Sequence, residues 1–140
     1  MFGAGGAAII AGGLTAAVTG PAGWERGSWV AAFLVLVAGV AQIGLGVGSA
    51  LLTAQQTSAR LAGAWCVLWS IGCAVVIAGT LASSPAAVTV GSVPLFVVLA
   101  MSIASSGSAQ RSHVALAYRA LLTVLLVSLP VGIALAWLRQ

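Results

Sequence analysis

Trp29 to Leu52, WVAAFLVLVAGVAQIGLGVGSALL, runs for 24 residues without a charge and with a single strongly polar side chain, Gln42. At about 1.5 Å rise per residue it makes a helix roughly 36 Å long, against a hydrocarbon core of about 30 Å. It has no polar face, as a helix solvated by lipid or by other helices requires. In a bilayer every backbone N–H and C=O must be bonded within the segment, so the run reads as a transmembrane helix.

The rest of the chain agrees. Of its 140 residues 61% are hydrophobic and 4% are charged, with a mean hydropathy of +1.20. A soluble domain clothes its surface with about 25% charged residues. This chain has too few to cover a water-facing surface, and the expectation is an all-α, polytopic membrane protein.

Further apolar segments fall at 2–20, 61–81, 87–104 and 114–138. With 29–52 they predict a compact bundle of five transmembrane helices in one domain, or four if the Gly-rich first segment does not span. That first segment holds six glycines, which makes it a poor helix by propensity. It also lacks the basic n-region of a secretory signal peptide, the rival reading. Ala4, Ala8, Gly12, Ala16 and Gly20 recur at every fourth position, a small-residue stripe of the kind that lets helix backbones approach closely in membranes. Gly44 and Gly48 form a Gly-x-x-x-Gly pair of the same type. Pro94 and Pro130 are expected to interrupt the hydrogen bonding of the fourth and fifth segments.

The net charge of +4 comes from Arg26, Arg60, Arg111, Arg119 and Arg139 against Glu25 alone. Nucleic-acid binding would need a basic patch on one face. These arginines instead stand at segment ends, where they act as topology determinants and headgroup contacts. Arg60, Arg111 and Arg119 share one side of a five-span protein; Arg26 and Arg139 share the other. The positive-inside rule then puts the N-terminus in the cytoplasm and the C-terminus outside. Trp24, Trp29 and Trp137, with Arg119 able to snorkel, read as interface anchors. The absence of Lys, Asn and Asp, with abundant Ala, Gly and Arg, fits a GC-rich bacterial genome and hence a bacterial plasma membrane.

Chemistry-bearing groups are few. Glu25 is the sole carboxylate and His113 the sole histidine, so no nucleophile–base pair or metal cluster can be assembled by spacing. Cys66 and Cys73 lie on one helix face roughly 10 Å apart, too far for a disulfide, and read as small hydrophobes. No cofactor is expected. The polar residues Gln42, Ser92 and Ser128, with Thr89 and Ser102, are the candidates for a pathway through the membrane, because polar groups at that depth are costly unless used. The leading expectation is a non-enzymatic structural or accessory subunit. It packs against itself or a larger membrane complex through Ala8, Gly12, Ala16, Gly44 and Gly48, with the lipid bilayer as its other partner. A small oligomeric carrier or pore is the alternative. A redox- or quinone-associated subunit using His113, Tyr118 and Arg119 is the weaker third.

Overall fold

The computed structural model describes residues 1–52, 58–105 and 113–138, all of it helix and short turns, with no strand among them. The helices are α1 (Phe2–Thr19), α2 (Gly27–Phe33), a π-helical segment (Leu34–Ala41), α3 (Gln42–Leu52), α4 (Ala59–Leu81), α5 (Pro85–Ser105) and α6 (His113–Leu138). α2, the π segment and α3 follow one another without a break. Five helices among the described residues are long and apolar enough to cross a membrane: Phe2–Thr19, Gly27–Ala50, Arg60–Leu81, Pro85–Ala104 and Leu116–Leu138. The loops expected at 53–60 and 105–113 fall mainly on residues 53–57 and 106–112, which with Arg111 and Arg139 lie outside the described residues.

Contacts gather into two compact units, Met1–Gly46 and Val47–Gln140. In the first, α1 packs antiparallel against α2 and the π segment. The backbones approach so closely that a Cβ at Gly12 would stand 2.9 Å from the Ala31 carbonyl oxygen. One at Gly5 would stand 3.0 Å from the Gly39 oxygen. At the closed end of the hairpin Thr19 covers Gly27. The contact face of α1 is therefore Gly5, Gly12 and Thr19, a seven-residue repeat. Of the four-residue stripe expected from sequence, Gly12 is buried within the chain, Ala8 is half-buried, and Ala4, Ala16 and Gly20 are exposed. An α-helix has 3.6 residues per turn, so a step of four walks off the face that a step of seven nearly keeps.

The uniform α-helix expected over 29–52 is also corrected. Its middle is wound with the wider i→i+5 pattern of a π-helix, a rare form that usually lasts a single turn. Gly39 is what the winding and the packing both require. A Cβ there would lie 3.2 Å from the Leu34 carbonyl oxygen five residues back and 3.1 Å from the Gly5 oxygen.

In the second unit α4 and α5 form another antiparallel hairpin, and α6 packs on α5. Gly72 faces the Gly91 oxygen at 2.9 Å, and Gly79 faces the Val88 nitrogen at 2.8 Å, measured from where a Cβ would stand. Around these contacts Trp69, Cys73, Val76, Val88, Leu95, Val98, Leu99 and Leu122 are buried. α5 continues through Pro94, whose ring lies opposite Gly72.

The two hairpin turns close in the same way. Trp24 N–H donates to the Thr19 carbonyl (3.2 Å) and Gly23 N–H to the Gly20 carbonyl (3.2 Å). In the other, Ser84 N–H donates to the Gly79 carbonyl (2.8 Å) and Ser83 N–H to the Thr80 carbonyl (3.2 Å). Both are Schellman arrangements, which satisfy the orphan carbonyls of a helix C-terminus with one left-handed residue. That residue is Gly23 (φ 60°) in the first turn and Ser83 (φ 53°) in the second. Ser84 then caps α5, accepting from Ala87 N–H at 3.4 Å, with Pro85 at the first helical position where its missing N–H costs nothing. This is why α5 starts two residues before the expected 87. Ser58 caps α4 likewise, accepting from Leu61 N–H at 3.3 Å.

Candidate functional site

Each polar side chain named as a pathway candidate sits on a helix, and the helix backbone decides what its oxygen does. Ser92 is buried on α5 and donates to the Val88 carbonyl at 2.8 Å. Ser102 donates to the Val98 carbonyl (2.7 Å) and Thr89 to the Pro85 carbonyl (2.9 Å). Ser128 is exposed on α6 and donates to the Leu125 carbonyl at 2.7 Å. These hydroxyls back-bond within their own helices, which hides a polar group in an apolar setting without a second element.

Gln42 is the exception in kind. It is the first residue after the π segment, its backbone N–H donates to the Gly39 carbonyl, and its side chain is 1% exposed. Among the described residues no buried side-chain nitrogen or oxygen lacks a hydrogen-bond partner. The amide is thus a bonded group inside the packing.

Polar contacts join α5 to α6 towards each end of the antiparallel pair. Tyr118 hydrogen-bonds Ser102, and the Trp137 indole N–H donates to the Thr89 hydroxyl at 3.4 Å. Tyr118 also lies across Gly48, where any Cβ would collide with its ring. Gly48 therefore serves as the seat of an aromatic ring. Gly44, its expected pair, is half-buried. Tyr118 as a packing residue was missed by the sequence reading, since nothing in local spacing connects it with Gly48, seventy residues away.

Of the remaining anchors, Trp24 and Trp29 are partly exposed, and Trp29 stacks on Phe33 with centroids 5.2 Å apart. Arg119 is exposed. Neither Cys66 nor Cys73 forms a disulfide. No group of three or more His, Cys, Asp or Glu side chains placed to hold a metal occurs among the described residues.

An open groove of about 430 Å³ runs along one flank of the first hairpin, lined by Gly12, Gly13, Ala16, Ser28, Ala32 and Leu36 among others. Its walls are apolar apart from the hydroxyls of Ser28 and Thr19, and the Thr19 hydroxyl already donates to the Thr15 carbonyl at 2.7 Å. Such a surface can take up a hydrocarbon chain or a helix side, and its lining holds no acidic or basic side chain. Comparison with models of protein families, with curated proteins and with solved structures finds no match for this chain.

Proposed function

We propose that this chain is a multi-pass protein of the bacterial plasma membrane with a non-enzymatic structural or accessory role, working packed against copies of itself or a larger membrane complex. The observation that carries the reading is where the polar groups point. Hydroxyls on α5 and α6 are spent on their own helix carbonyls, and Gln42 is enclosed. What the helices turn outward is mainly apolar: Leu116, Val124, Val127, Val131 and Leu138 on α6, and Ile10, Leu14 and Val18 on α1. Outward apolar faces with inward polar bonds suit lipid and neighbouring helices as solvent. The N-terminus is cytoplasmic and the C-terminus outside, by the arginine bias.

Purification in mild detergent tests the role. A stoichiometric membrane partner or a defined homo-oligomer without solute flux in liposomes is the expected result. Flux that Gln42→Leu abolishes while leaving the fold intact would replace this reading by the carrier. Orientation is tested separately on a background lacking Cys66 and Cys73. Ala22→Cys should be labelled from outside intact cells and Ser58→Cys only after permeabilisation; the reverse pattern would invert the topology.

A further inference from the structure

The groove on the first hairpin has a direction and a limited length. Thr19, Gly20 and Ser28 line it at the turn, and Gly12, Gly13 and Leu36 line it eight residues further along the helices. Eight residues of helix span about 12 Å, against about 15 Å for half of a hydrocarbon core. The trough exists because one flank of α1 lacks side chains. Gly13 and Gly20 stand one residue round from Gly12 and Thr19, and a Cβ at either would meet nothing within 4 Å. The lining stops at Gly12 and Leu36; beyond them Ile9 over Gly39 and Ile43 over Gly5 fill the helix pair. A transmembrane helix lying alongside would need contact across about 30 Å, whereas the acyl chain of one leaflet needs half of that. The polar end is the mouth. Glu25 and Arg26 stand exposed in the turn that leads into Ser28, with Trp24 and Trp29 on either side. Tryptophans so placed set a turn at headgroup depth. The turn thus offers one anion and one cation side by side, at the head of an apolar trough one leaflet deep.

We propose that this groove is a lipid site: it holds one acyl chain of a zwitterionic amine phospholipid, with the phosphate on Arg26 and the ammonium on Glu25. A guanidinium matches phosphate oxygens in charge and in donor geometry. A headgroup that is only anionic would meet Glu25 as a like charge. The trough accepts the chain by shape, and the headgroup selects the lipid. An acyl chain gains nothing by moving from lipid to an equally apolar wall, so selectivity has to come from charge at the turn. The inference rests on the multi-pass membrane reading and not on the accessory role.

Native mass spectrometry of the full chain in detergent tests this, with phosphatidylethanolamine and phosphatidylglycerol of the same acyl chains titrated separately. One phosphatidylethanolamine per chain should bind about fivefold or more tightly than phosphatidylglycerol, the weight of one charge at a headgroup surface. Glu25→Gln should erase that preference, and Arg26→Gln should weaken both lipids. Gly13→Leu fills the trough from a position that touches nothing else. It should remove the tightly bound lipid while helix content by circular dichroism stays unchanged. Equal binding of the two lipids, or a preference that survives either Gly13→Leu or Glu25→Gln, would overturn the site. Loss of a homodimer on Gly13→Leu with the lipid count unchanged would give the groove to a second copy instead. A chain that stays dispersed in water without detergent would overturn the membrane reading itself, and the site with it.

Discussion

The hairpin of α1 with α2 and the π segment, and the hairpin of α4 with α5, have the same architecture built from different materials. Both are antiparallel, both turn through a Schellman arrangement, and both bring backbones together over glycines seven residues apart, Gly5/Gly12 and Gly72/Gly79. Their interiors differ. The second hairpin also buries Trp69, Leu95, Val98 and Leu99, whereas the apolar side chains buried in the first unit are the smaller Val30, Ala31, Ala38 and Ala41 with Leu45, beside the amide of Gln42. Where the surrounding solvent is as apolar as leucine, transfer from water no longer drives helices together, and contact density has to. The first hairpin obtains that density from backbone proximity, the second from backbone proximity plus bulky side chains with many dispersion contacts. One contact type leaves little reserve; two give redundancy.

The contrast is broken most directly at Gly12. The Cβ of a leucine there would stand 2.9 Å from the Ala31 oxygen, 2.6 Å from the Val35 side chain and 3.1 Å from the Leu34 Cβ, and overpacking costs of about 3 kcal/mol or more follow when rigid backbone is the obstacle. Gly12→Leu should therefore abolish crosslinking between α1 and α2. Gly13→Leu, facing open space, should leave it intact. Equal loss at both positions would mean that the hairpin is held by something other than close approach.

Next in size is Leu99→Ala in α5, fully buried at 1% exposure. It should cost about 2 kcal/mol in a denaturant or thermal titration, from lost dispersion contacts and the cavity left behind. The second hairpin should nevertheless stay assembled, because the Gly72–Gly91 approach survives. Dissociation of α4 from α5 would show that bulk, not proximity, holds that pair.

The smallest effects lie in the turns. Gly23→Ala places a side chain in the left-handed region and should cost about 1 kcal/mol. Ser83→Gly, at the equivalent place in the second turn, should leave stability unchanged or raise it by up to about 1 kcal/mol. A clear loss at Ser83 would show that its side chain holds the turn more firmly than its φ strains it.

Much of the architecture was legible in the residues. The run from Trp29 to Leu52 and its four companions predicted helices that the structure places within a few residues, because length and unbroken apolarity are local properties that backbone hydrogen bonding turns directly into helix. Tertiary contact decided the rest. Which of α1's many small residues face the neighbour, Gly5 and Gly12 rather than Ala4 and Ala16, depends on where α2 lies. The π winding at Leu34–Ala41 has no composition of its own, and the seat of Tyr118 on Gly48 joins residues seventy apart. The candidate polar residues were identifiable as polar, but their use was not: Ser92 and Ser128 bond to their own helices, a choice set by geometry one turn away. The sequence by itself determined that this chain forms long apolar helices, since solvation of side chains and backbone settles that residue by residue. Only the tertiary structure decided the register between helices, since a glycine matters for packing only where another backbone comes within van der Waals reach.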